Sequence, residues 1–121
     1  MPFEWKDYYS LSKFLIDTPG EFKEASYRTA VSRAYYYSFH YVTEYAKNKC
    51  NYTSPQRNQH SELRKFLNKN IPRRGVRASG LLSTLHNWRN QCDYKDEVDN
   101  LEKNIYESLI KVEQIKTLLG S

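Results

Sequence analysis

Glycine and proline are scarce, with four of each in 121 residues. That is too few for a turn-rich β protein, a collagen-like repeat or a low-complexity disordered chain. Cysteine is scarcer still. Cys50 and Cys92 lie far apart without zinc spacing, which fits thiols in a reducing cytoplasm. Long apolar runs are missing too. Only 39% of residues are hydrophobic and mean hydropathy is −0.87, so no segment can span a membrane. No positively charged start leads into an apolar stretch, so no signal peptide is expected. A Gly-rich phosphate loop is absent, which argues against an NTPase. The three histidines, His40, His60 and His86, fall on different segments, and no Glu-x-x-His or His-Glu-x-x-His occurs, so no metal site is expected. Neither a Ser–His–Asp nor a Cys–His arrangement can be asserted from residue order.

Aromatic residues and positive charge are abundant. Eleven tyrosines in a chain this short need either a core or a surface on which something stacks. Lys and Arg number 19 against 14 acids, a net charge of +5. The excess is concentrated. Arg57, Arg64, Lys65, Lys69, Arg73, Arg74, Arg77 and Arg89 face a single acid, Glu62, within their span, which carries +7 and leaves −2 for the rest of the chain. A one-sided basic segment is the footprint of a polyanion partner, most often nucleic acid, although a solvated surface gives the same composition. It has no clean amphipathic face for a membrane surface.

The length implies one domain, residues 1–121, able to bury a core without disulfides or metal. The periodicity is helical throughout, in five pieces. The first runs from about Trp5 to Asp17. The second is expected to start at Thr18-Pro19-Gly20-Glu21, where Thr18 can cap and Pro19 suits the first helical position, and to run to about Cys50. The third ends at Asn70, before Ile71-Pro72, and Arg73-Arg74-Gly75 reads as a basic loop. The fourth runs from about Ser79 to Tyr94, with Leu81, Leu85, Trp88 and Cys92 as its apolar stripe. The fifth runs from about Asp96 to Leu119, with Asp96, Glu97 and Asp99 at the positive end of its dipole. Short links imply an all-α, up-and-down antiparallel bundle. The second helix is apolar nearly all round, which marks the centre of a bundle. Its small residues Ala30, Ala34 and Ser38 let a neighbour approach closely, and its mid-helix aromatics read as core.

Two polar stripes could carry chemistry. On the second helix Ser26, Thr29, Arg33, His40, Glu44 and Lys47 share a face. A partly buried Arg33 or His40 there would need a partner. On the fourth helix His86, Arg89, Asn90 and Asp93 stand opposite the apolar stripe. A guanidinium there can stabilise charge on phosphoryl oxygens and an imidazole can move a proton. The plain alternative is an Arg89–Asp93 pair at i, i+4.

The motif Ser32-Arg33-Ala34-Tyr35-Tyr36 resembles the Ser-Arg-Ala-Tyr-Tyr signature of HEPN domains. Phe39-His40 falls where a Phe-His pair often follows it, and His60-Ser61 opens the third helix as a Ser-His or His-Ser pair often does there. Arg89-Asn90-Gln91-Cys92-Asp93-Tyr94 resembles the Arg-x-x-x-Asp-Tyr signature that ends the fourth. The resemblance spans about Leu11 to Leu119. It implies a dimeric helical bundle acting on RNA. Many such domains are metal-independent endoribonucleases of toxin–antitoxin, phage-defence and CRISPR systems. Their active site pairs an Arg, followed by a polar residue, with a His four to six positions on. Arg89 and Asn90 match the first half, but no His follows Arg89 in this chain.

The expectation is therefore a homodimer that binds RNA or a nucleotide, with Arg89, Asn90, Asp93 and His86 as candidate catalytic residues. Arg33, His40, Tyr94, Arg73, Arg74 and Arg77 are the binding candidates. His86 is the candidate base, ahead of Asp93 and His40. Neither a cofactor nor a metal is expected. The alternative is a catalytically inactive module that binds a nucleotidyltransferase or another protein.

Overall fold

A computed structural model describes residues 2–120. Five α-helices form an all-α bundle: α1 Lys6–Asp17, α2 Lys23–Cys50, α3 Gln59–Asn70, α4 Arg74–Tyr94 and α5 Leu101–Leu119. No strand occurs among the described residues.

Helix α2 is the axis. Its 28 residues bury side chains in neighbouring positions, from Tyr27, Ala30 and Val31 through Tyr35, Tyr37 and Phe39 to Val42 and Ala46. A helix buried on most of its circumference needs partners on several sides, and α1, α4 and α5 supply them. The small residues do what the spacing implied. Ala30 and Ala34 are fully buried, and the Ser12 hydroxyl of α1 donates 2.7 Å to the Ala30 carbonyl. The mid-helix aromatics Tyr35, Tyr37 and Phe39 are core, and Tyr37 stacks on Tyr9 of α1 with ring centroids 5.1 Å apart.

Contacts fix the directions. Ser12 meets Ala30 while Tyr9 meets Tyr37, so α1 runs against α2. Helix α4 also runs against α2, with Cys92 near Arg28 and His86 near Tyr35. Its partner α5 returns beside it, with Lys111 at Trp88 and Arg74 reaching Leu118. Helix α3 departs from alternation. The loop after Cys50 doubles back, so His60 at the start of α3 lies beside Phe39 while Phe66 lies beside Tyr52. Helix α3 thus follows the direction of α2 and opposes α4. That places His60 and His86 side by side.

Helix ends differ from the sequence-based expectation at three places. Gly20 takes a positive φ of 67°, which forbids a helix through Thr18-Pro19. Thr18 instead closes α1, its N–H bonding to the Phe14 carbonyl at 2.8 Å, and α2 starts at Lys23. Helix α4 begins at Arg74 rather than Ser79, so Arg74, Gly75 and Arg77 are helical. The break spans Ile71–Arg73, and Arg73, with φ of 65° and ψ of −74°, centres a γ-turn closed by the Arg74 N–H on the Pro72 carbonyl at 2.8 Å. Helix α5 begins at Leu101 because Asn100 is left-handed, with φ 58°, so Asp96, Glu97 and Asp99 precede the helix. In α4, Leu82 and Leu85 are the fully buried leucines and Leu81 is half-buried, since α2, α3 and α5 all press on this helix.

Arg28 secures the end of α4. Its guanidinium donates to the carbonyls of Cys92 (3.2 Å), Lys95 (2.5 Å) and Asp96 (2.8 Å). A cation on the last carbonyls of a helix satisfies orphan acceptors and suits the dipole. It also fixes the turn that carries Asp93 and Tyr94.

Candidate functional site

Both arginines of the two motifs lie on the facing surfaces of α2 and α4. The Arg33 guanidinium stands 4.8 Å from the Tyr8 ring and 5.0 Å from the Tyr36 ring. Arg89 stands 5.0 Å from Tyr36 and 5.4 Å from Tyr94. Rings and guanidiniums therefore alternate from α1 to the end of α4: Tyr8, Arg33, Tyr36, Arg89, Tyr94. Each contact draws a cation to the negative face of a ring.

The cluster's one carboxylate pairs with Arg89 and is linked to Arg33 only through Ser32. Asp93 Oδ2 lies 2.8 Å from Arg89 Nε. The N–H is not aimed at that oxygen, so this is a charge pair and the buried Nε has no hydrogen-bond partner. Arg89 Nη1 donates 2.9 Å to Asn90 Oδ1. Arg33 has no ion pair among the described residues. Its Nη2 donates 3.1 Å to the Ser32 hydroxyl, which donates 3.4 Å to Asp93 Oδ2. The buried Nε of Arg33 is also without a partner. The cluster holds two guanidiniums and one carboxylate, so it keeps a positive charge and donors not fully spent inside the protein.

A second polar cluster adjoins the first behind Tyr36. The hydroxyl of fully buried Tyr35 hydrogen-bonds His60 Nδ1. The His60 and His86 rings stack at 4.9 Å, nearly parallel, and Arg64 Nη1 donates 3.3 Å to His86 Nδ1. Burial lowers the His86 pKa from 6.5 to about 4, helped by His60, Arg64 and Arg89. Burial also lowers that of His60, with Arg89 and Arg64 acting the same way, and raises that of the Tyr35 phenol. Both imidazoles are thus neutral near pH 7. Each has its Nδ1 engaged by an internal partner. For His86 that places the ring proton on Nε2, leaving it a donor rather than a free base.

The candidate residues thus separate into groups. Arg33, Arg89, Asn90, Asp93 and Tyr94 come together. His86 points to His60 instead of joining Asp93. His40 stacks on Trp5 with centroids 3.4 Å apart, and burial lowers its pKa although Glu44 opposes this. Trp5, Tyr8, Arg33, Tyr36 and His40 line a cavity of about 310 Å³. The rest of the α2 stripe disperses. Ser26 bonds the Pro19 carbonyl, Thr29 bonds Ala25, and Glu44 and Lys47 are exposed.

Arg73, Arg74 and Arg77 do not join the site. They sit at the other end of α4, about 18–24 Å from Arg89 at 1.5 Å per residue. Arg74 reaches the Leu118 carbonyl, and Arg77 borders a groove on α5 beside Glu113. The basic segment therefore wraps around α3 and α4 instead of forming one face. Reading the sequence missed Tyr8, Trp5, Ser32 and Tyr36 as parts of the site. Tyr36 had a signal, since it stands one turn beyond Arg33. Tyr8 and Trp5 had none.

Cys50 and Cys92 are free thiols, and burial raises the Cys92 pKa to about 11. Among the described residues, no group of three or more His, Cys, Asp or Glu is placed to hold a metal ion, and no helix is long and apolar enough to cross a membrane. Compared with family models, with curated proteins and with solved structures, the chain matches none.

Proposed function

We propose that this chain is a HEPN-like RNA- or nucleotide-binding protein whose phosphate site is the Arg33–Arg89 pair. The observation that carries this reading is a cluster of two guanidiniums, each 5.0 Å from the Tyr36 ring, with a single carboxylate, Asp93, which pairs with Arg89 and reaches Arg33 only through the Ser32 hydroxyl. Two cations and one anion leave a charge of +1, which matches a phosphodiester better than a dianionic phosphomonoester. Guanidiniums recognise phosphate oxygens through paired N–H donors, and tyrosine rings at both ends suit bases next to that phosphate. The motif resemblance extends the reading to a homodimer of a toxin–antitoxin or phage-defence system.

Binding, rather than cleavage, is what the geometry supports best. The sequence-based base candidate, His86, is half-buried with its Nδ1 engaged by Arg64, which leaves its proton on Nε2, and Asp93 is held by Arg89. The test is fluorescence anisotropy of labelled RNA with wild type, Arg33→Ala, Arg89→Ala and Arg89→Lys, and helicity checked by circular dichroism. Each Ala variant should lose roughly 10–100-fold in affinity, the worth of a charge-assisted hydrogen bond. Unchanged affinity in a folded Arg89→Ala variant would remove the proposal. The same samples run on a gel, with and without EDTA, report cleavage directly.

A further inference from the structure

The cavity beside Arg33 is not accounted for by phosphate binding. It measures about 310 Å³, and five side chains line it: Trp5, Tyr8, Arg33, Tyr36 and His40. Four are rings and the fifth is a cation. Tyr8 and Tyr36 both lie against the guanidinium. Trp5 comes from the segment before α1 and is 39% exposed, although it is pinned by three ring contacts: stacking on His40, and edge contacts to Phe3 at 5.0 Å and Tyr8 at 5.6 Å. An indole that stays this exposed while being held in place forms a rigid wall, so little ordering is lost when a ring packs against it.

We infer that this cavity is a nucleobase subsite, so that the ligand class of the Arg33–Arg89 site is single-stranded nucleic acid with an unpaired base. The inference rests on the phosphate reading above and deepens it. Arg33 belongs to both parts: its guanidinium lines the cavity, and through Ser32 it is linked to the Asp93–Arg89 pair. A base in the cavity therefore has its own backbone phosphate within reach of the same arginine. Stacking on rings is tolerant of base identity, because every base has a π face. His40 supplies the polar edge. Burial keeps it neutral near pH 7, so it offers one donor and one acceptor. A base inside a duplex has both faces stacked and its pairing edge used, and cannot enter.

The experiment compares a labelled single-stranded RNA with the same strand annealed to its complement. It uses wild type, Trp5→Ala, Trp5→Phe and Arg89→Ala. The subsite requires wild type to prefer the single strand. It requires Trp5→Ala to weaken single-strand binding about 5–100-fold, the range for loss of one base–aromatic stack. Trp5→Phe, which keeps a ring, should recover most of it. Equal binding of single strand and duplex, or full single-strand affinity in Trp5→Ala, would overturn the subsite. If Arg89→Ala is impaired in that same experiment, the phosphate site survives the loss. Failure of wild type to bind any RNA would remove both. Urea titration of each variant separates loss of a contact from loss of folding.

Discussion

Acidification should destabilise this protein through His86, above the range in which ordinary carboxylates titrate. The ring is stacked on His60 and Tyr35, receives a hydrogen bond from Arg64, and has Arg89 one turn away. No acid is among the groups that shift it. In the folded state its pKa is about 4, against 6.5 for a free imidazole. Between those values the unfolded chain binds a proton that the folded chain refuses. Stability is then fully present above pH 6.5 and falls as pH drops toward 4. From pH 7.5 to 5.0 the unscreened loss is about 2 kcal/mol. His86 is only part-buried, so solvent screening leaves about 1 kcal/mol. His60 and His40 shift the same way and add to it. With a urea slope near ~1.5 kcal/mol/M, the midpoint should fall by about 0.7 M. Urea titrations followed by circular dichroism at the two pH values measure this. His86→Gln keeps an acceptor for Arg64 and should lose much of the drop. A wild-type midpoint unchanged between pH 7.5 and 5.0 would refute the reasoning, as would an equal drop in His86→Gln.

Gly75→Ala should destabilise by about 1–3 kcal/mol, because the new Cβ would lie 2.5 Å from Ile71 Cβ and 2.6 Å from the Leu67 carbonyl oxygen at the α3–α4 corner. Gly80→Ala, in the same helix with nothing within 4 Å, should stabilise by about 0.5–1 kcal/mol; equal effects in thermal unfolding would sink the close-approach argument. The triple change Arg73→Ala, Arg74→Ala, Arg77→Ala should weaken RNA binding far less than Arg89→Ala while flattening its salt dependence, since these residues lie at the far end of α4. A triple mutant as impaired as Arg89→Ala at low salt would show that the ligand spans the whole helix. Light scattering at micromolar to millimolar concentration should report a dimer, and a monomer throughout would remove the homodimer reading.

How the chain revealed its structure follows from the range of each interaction. Helix content and the central place of α2 were legible, because apolar residues at nearly every angle of one long segment leave no solvent face. The Arg89–Asp93 pairing was legible too, being set by spacing within one helix. The helix starts were less so. A cap signal at Thr18 lost to a single positive φ at Gly20, and the acids before Leu101 were cut off from their helix by Asn100. What only the tertiary structure decided is which stripe faces which. Spacing put His86 with Arg89, but the loop that doubles back after Cys50 set His60 and Arg64 against its ring. Helix packing likewise brought Ser32, the hydrogen-bond partner of Arg33, to the carboxylate of Asp93 and Trp5 to His40, pairs separated by 61 and 35 positions. Sequence periodicity fixes the angle of a side chain about its own helix. The angle between helices is set by packing of all of them at once, and a site shared by α1, α2 and α4 exists only after that packing is complete.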